Sequence, residues 1–151
     1  MLDIIDGYKI NGNFFFQKGE DLAKVSKKVP NEPGVFGIFR LMKGRVELVY
    51  IGYGEAKNAS KGMDIATLDY AINDKINGIN SQKFLDKKLT EEPIDALDIY
   101  YMVTYDEDHH ELPAFVAARI INDHFEMHGQ IPVWNKKFWN GWFINSKIKY
   151  F

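Results

Sequence analysis

The chain has 151 residues, 46% hydrophobic and 15% aromatic, enough for one sizeable core and too apolar for a disordered segment. Its 19 basic and 21 acidic residues leave a formal charge of -2, which excludes general long-range attraction to nucleic acid or to an anionic membrane but not a local basic patch. Cysteine is absent, so disulfides and thiolate metal sites are excluded.

No stretch approaches the ~18 apolar residues of a membrane span. The opening MLDIIDGYKING carries neither a basic n-region nor a long apolar h-region. The expectation is a soluble, cytoplasmic protein with no membrane partner. No repeat, low-complexity tract or linker divides the chain, so residues 1–151 read as a single domain.

Asn11-Gly12 lies between two β-prone runs in GYKINGNFFFQ. This pair accepts positive φ at low cost and predicts an N-terminal hairpin. Residues 20–29 predict a short helix that stops before Pro30. GVFGIFRL (34–41) and VELVYI (46–51) read as two strands, and the Lys43-Gly44-Arg45 connection makes them antiparallel. After a polar loop over 53–64, Ile65, Leu68, Ile72 and Ile76 recur at helical spacing. A second helix follows at about 80–91, then a third strand, LDIYYMVTY (97–105). Residues 112–128 carry the strongest helical pattern. Ala114, Ala117, Ala118, Ile121 and Phe125 form its apolar stripe, Arg119, Asn122, Asp123 and Glu126 its polar face, and Gly129 its end. The aromatic tail from Ile131 is expected to pack on the core. The sum is an α+β domain with a small central antiparallel sheet of about three strands flanked by helices.

Two short motifs then stand out. Pro33-Gly34-Val35-Phe36 opens the first strand of the pair, and Tyr50-Ile51-Gly52 ends the second. Ile131-Pro132-Val133-Trp134-Asn135 follows the long helix. In this order the motifs resemble the GIY-YIG nuclease superfamily over roughly residues 30–138, where GIY and YIG lie on adjacent antiparallel strands and a Pro-x-aromatic-Asn element closes the core. The resemblance implies metal-dependent phosphodiester hydrolysis. A tyrosine and an arginine assist the attacking water, and a glutamate on a later helix holds one divalent ion, Mg²⁺ or Mn²⁺.

The site positions implied by the resemblance are Phe36, Tyr50, Ala71, Ala117 and Asn135. The GIY tyrosine falls on Phe36, which has no hydroxyl. The arginine position, in Leu68-Asp69-Tyr70-Ala71-Ile72, falls on Ala71. The glutamate position, in Phe115-Val116-Ala117-Ala118-Arg119, falls on Ala117. Tyr50 and Asn135 remain. With phenol, guanidinium and carboxylate all missing, the expectation is a degenerate, inactive domain that needs no cofactor and binds DNA weakly or a protein partner. Two alternatives stay open. One is an active enzyme with relocated groups, Tyr50 with Lys57 or Lys75 and Glu111. The other is an engineered inactive form, since alanine is the usual inactivating choice.

Lys57, Lys61 and Lys75 are the candidate phosphate contacts, as point charges beside the presumed cleft. Trp134, Trp139 and Trp142 suit base stacking or core packing, with packing favoured. Asp106-Glu107-Asp108-His109-His110-Glu111 reads as a solvated turn whose acids suit a helix N-terminus, with metal binding the lesser alternative. His124 and His128 are four apart on one helical face, a spacing that suits a shared ion or a packed pair.

Overall fold

The computed structural model describes residues 1–55 and 67–135. The two β-prone motif runs become the longest strands, β2 (Gly34–Met42) and β3 (Arg45–Gly54). They pair antiparallel, Met42 opposite Arg45. Only Lys43 and Gly44 lie between them, with φ of 52° and 73°, the two-residue turn whose twist matches that of the strands. On its other edge β2 pairs antiparallel with β6 (Ala96–Val103), and β6 pairs with β1 (Asn11–Phe16). The sheet therefore has four strands in the order β1-β6-β2-β3, one more than the sequence suggests.

The extra strand is the segment expected to be a hairpin. Neither Asn11 nor Gly12 adopts positive φ; both lie in β1, opposite Met102 and Tyr101. Gly12 is needed for a different reason. A Cβ there would stand 2.6 Å from the Tyr101 hydroxyl and 2.9 Å from its Cζ, so the glycine makes room for a ring on the next strand. Among the described residues the Asn-Gly pair that turns is Asn77-Gly78, with φ of 54° and 79°. It joins β4 (Lys75–Ile76) to β5 (Ile79–Asn80).

The helices are α1 (Leu2–Ile5), α2 (Leu22–Val25), α3 (Leu68–Asp74), α4 (Ser81–Glu91) and α5 (Pro113–His128). The central strands are buried on both faces, as their nearly continuous apolar run requires. Alternation along each strand sends residues to two layers. Phe36, Ile38, Leu97, Ile99 and Tyr101 pack with Leu68 and Ile72 of α3 and with Phe84 and Leu85 of α4. Val35, Ile51 and Met102 pack with Ile5 and with Val116, Ala117 and Ile120 of α5. The sheet is thus sandwiched between α3 with α4 on one face and α5 on the other.

Two helical expectations shift. Ile76, taken as the last residue of a helical row, is buried on β4 instead, because the helix ends at Asp74 and Lys75 turns extended (φ -142°, ψ 141°). Lys75 is therefore exposed on β4, not one helical turn beyond Ala71. Ile65 lies outside the described residues. On α5 the buried row is Pro113, Val116, Ala117, Ile120 and Ile121, rotated from the predicted stripe. Ala118 and Phe125 are exposed, since the helix turns Val116 and Ile120 toward the sheet. The ends of α5 agree with its sequence: Pro113 opens it and Gly129, at φ 74°, closes it. No described helix is long and apolar enough to cross a membrane.

Candidate functional site

The two motif strands bring Phe36 and Tyr50 together. Phe36 lies opposite Gly52 in the β2–β3 ladder, and its ring centroid is 6.0 Å from that of Tyr50. The glycine of the second motif has a steric cause. A Cβ on Gly52 would meet the Phe36 ring at 2.4 Å and 2.6 Å and the Tyr50 ring at 3.0 Å. Gly34 is equally constrained, by the Met102 carbonyl oxygen at 2.3 Å from its would-be Cβ. Both motif glycines thus serve close approach between strands and rings.

A register shift between Ile38 and Phe39 leaves Val49 without a partner on β2. The bulge turns Val49 into the same layer as Phe36, with Tyr50 packed beside it. Ala71, half-buried on α3, packs on this layer too. Three of the five positions, Phe36, Tyr50 and Ala71, therefore share one face of the sheet.

Ala117 does not join them. It is 2% exposed and packs with Val35, Ile51 and Met102, on the opposite face. A carboxylate at that position would be separated from Phe36, Tyr50 and Ala71 by the sheet. One shared site would need Ala117 and Ala71 to face one cleft, and strand parity separates them: adjacent residues Val35 and Phe36 point to opposite layers, and α5 covers the layer of Val35.

Asn135 sits at the sheet edge. Its side-chain nitrogen donates to the Ile51 carbonyl at 2.9 Å, and its Oδ1 accepts the Ile51 N–H at 3.0 Å. The Trp134 N–H donates to the Val49 carbonyl at 2.8 Å. Pro132–Asn135 thereby satisfies the outer edge of β3 as another strand would. Trp134 is 3% exposed, edge-on to Phe84 with centroids 5.8 Å apart. It is a core residue, not a stacking platform. Trp139, Trp142, Lys57 and Lys61 lie outside the described residues.

Burial, with a smaller contribution from Tyr53, pushes the Tyr50 phenol up to about 12, so it keeps its proton at neutral pH. Its hydroxyl makes no hydrogen bond to any described residue. Glu111, the acid of the relocated-chemistry alternative, is held elsewhere. It accepts the Tyr8 hydroxyl at 2.7 Å and stands 3.4 Å from Arg119. Tyr8 belongs to the α5-side layer, across the sheet from Tyr50. Burial, then the Glu111 carboxylate, pushes the Tyr8 phenol up as well. This Tyr8–Glu111–Arg119 cluster joins residues 103 and 111 positions apart, and no local spacing in the sequence points to it.

In the acidic turn, Asp106 accepts the N–H groups of Asp108 and His109 at 2.9 and 2.8 Å, which folds the turn on itself. Among the described residues no three His, Asp or Glu side chains are grouped to hold a metal ion.

No family model, curated protein or solved structure matches this chain.

Proposed function

We propose that this chain is a catalytically degenerate GIY-YIG-like domain that binds nucleic acid or a protein partner and does not cleave phosphodiesters. The observation that carries this reading is the use made of the site positions. Phe36, Tyr50 and Ala71 fill an apolar layer between sheet and helix, and both polar ends of the Asn135 amide are engaged with the Ile51 backbone. Nothing at these positions neutralises charge on a phosphoryl group, and the one phenol present is too weak an acid to serve as phenolate at neutral pH. Loss of one electrostatic contributor commonly lowers turnover by about 10²–10³-fold; loss of a cooperating set leaves only residual catalysis.

Incubation with plasmid, linear duplex and single-stranded DNA in Mg²⁺ or Mn²⁺ tests the first half of the proposal. No cutting above background is expected. Metal-dependent cutting that disappears in Tyr50→Phe overturns it in favour of relocated chemistry. Fluorescence anisotropy over a salt series tests the second half. A contact made by Lys57, Lys61 and Lys75 gives a slope of about three in log affinity against log salt, and the triple alanine variant removes it. Absence of DNA binding at low salt assigns the domain to a protein partner.

A further inference from the structure

We propose that His124 and His128 form a two-histidine site for a transition-metal dication of borderline softness, such as Zn²⁺ or Ni²⁺. The two lie in the last turns of α5, four residues apart and so on one face. Their ring centroids are 4.5 Å apart with planes at 46°. Zinc–nitrogen bonds of about 2.0–2.1 Å put two tetrahedral nitrogen ligands about 3.4 Å apart, a spacing that rings at this separation can supply.

The second observation is the way His124 is held. Its Nδ1 lies 2.8 Å from the Gln130 carbonyl oxygen. A carbonyl only accepts, so Nδ1 carries the proton, and in the neutral ring Nε2 keeps its lone pair. Histidine ligands of metals are oriented in this way, by a backbone carbonyl on the other nitrogen. The local sequence explains the geometry. Gly129 takes φ 74° and its N–H donates to the Phe125 carbonyl at 2.7 Å. That left-handed turn brings the chain back, so that the Gln130 carbonyl meets His124.

Both histidines line an open groove of about 910 Å³, whose wall also carries Asp123 and Glu47. Neither ring pairs with a carboxylate among the described residues, and Glu47 is engaged by Arg40 at 2.9 Å. With no third side-chain ligand grouped there, water completes the coordination, and the ion is exchangeable rather than structural. The site faces the α5 side of the sheet, away from Phe36 and Tyr50, and does not depend on the nuclease-like reading.

Calorimetric titration of the full chain with Zn²⁺ and with Ni²⁺ at about pH 7.5 tests the assignment, with Mg²⁺, which prefers oxygen ligands, as the control. One Zn²⁺ or Ni²⁺ per chain is expected, with no comparable Mg²⁺ uptake. Losing one arm of the chelate should weaken binding at least about tenfold, as disturbing even the groups that orient a ligand does. His124→Ala and His128→Ala are each expected to do so. Circular dichroism checks that each variant is folded. Both substituted positions lie near the end of α5, and His128 is exposed, so His128→Ala leaves the core intact. Undiminished binding in folded His128→Ala, or Zn²⁺ and Ni²⁺ uptake no stronger than that of Mg²⁺, overturns the proposal.

Discussion

Replacing Asn135 by alanine should unfold this domain more readily than loss of a surface amide would suggest. The Asn135 side chain is 3% exposed, and so is Ile51, whose N–H and C=O it satisfies at 3.0 and 2.9 Å. Alanine removes both partners at once. Each buried backbone group left unsatisfied costs about 1–3 kcal/mol, so the pair costs about 2–5 kcal/mol after partial relaxation. In a chain of 151 residues each 1 kcal/mol moves the midpoint by about 2–4 °C, so Tm should fall by on the order of 10 °C. Urea denaturation is the appropriate assay. The midpoint should drop while the slope m stays constant, because the surface exposed on unfolding is the same. A loss below about 1 kcal/mol would show that water reaches the β3 edge, and that Asn135 does not act as a surrogate strand.

Ala117→Glu should be destabilising by about 3 kcal/mol or more, because it places an unpaired carboxylate among Val35, Ile51 and Met102; a thermal melt measures this, and Mn²⁺ titration should show no gain in affinity. Tyr50 should titrate near pH 12 in an absorbance titration of tyrosinate. Its folded pKa is raised above the usual 10.0, so its contribution to stability is fully present below pH 10 and lost as pH rises through about 12; Tyr50→Phe should flatten that part of the alkaline stability curve. Gly52→Ala should cost about 1–3 kcal/mol through overpacking against the Phe36 ring. Combining it with Phe36→Leu should recover part of that loss, a coupling read from a double-mutant cycle by chemical denaturation.

Elements with a strong local cause were legible in the chain. The β2–β3 pair follows from two β-prone runs around Lys43-Gly44. α5 follows from its apolar period between Pro113 and Gly129, and the α+β class follows from their combination. Where two placements satisfied the local rules, the tertiary structure chose. Asn11-Gly12 and Asn77-Gly78 are the same dipeptide, yet only the second takes positive φ. The first is drawn into a strand by six residue pairings with β6, and its glycine clears space for Tyr101. The apolar row of α5 was set by which side chains the sheet could receive, so Val116 and Ile120 turned inward and Phe125 outward.

The same division holds for the candidate site. Motif order alone suggested five positions, and register brought Phe36 beside Tyr50 on adjacent strands. Which face of the sheet each position occupies depends on strand parity and on the layer each helix covers. That put Ala71 with Phe36 and Ala117 behind the sheet. The sequence by itself determined that Phe36, Ala71 and Ala117 carry no phenol, guanidinium or carboxylate, because side-chain identity needs no fold. Only the tertiary structure decided that Asn135 closes a sheet edge, that Glu111 belongs to Tyr8 and Arg119, and that His124 is oriented by Gln130. These are contacts between atoms; Asn135 with Ile51 and Glu111 with Tyr8 lie 84 and 103 positions apart, and no local pattern of spacing encodes them.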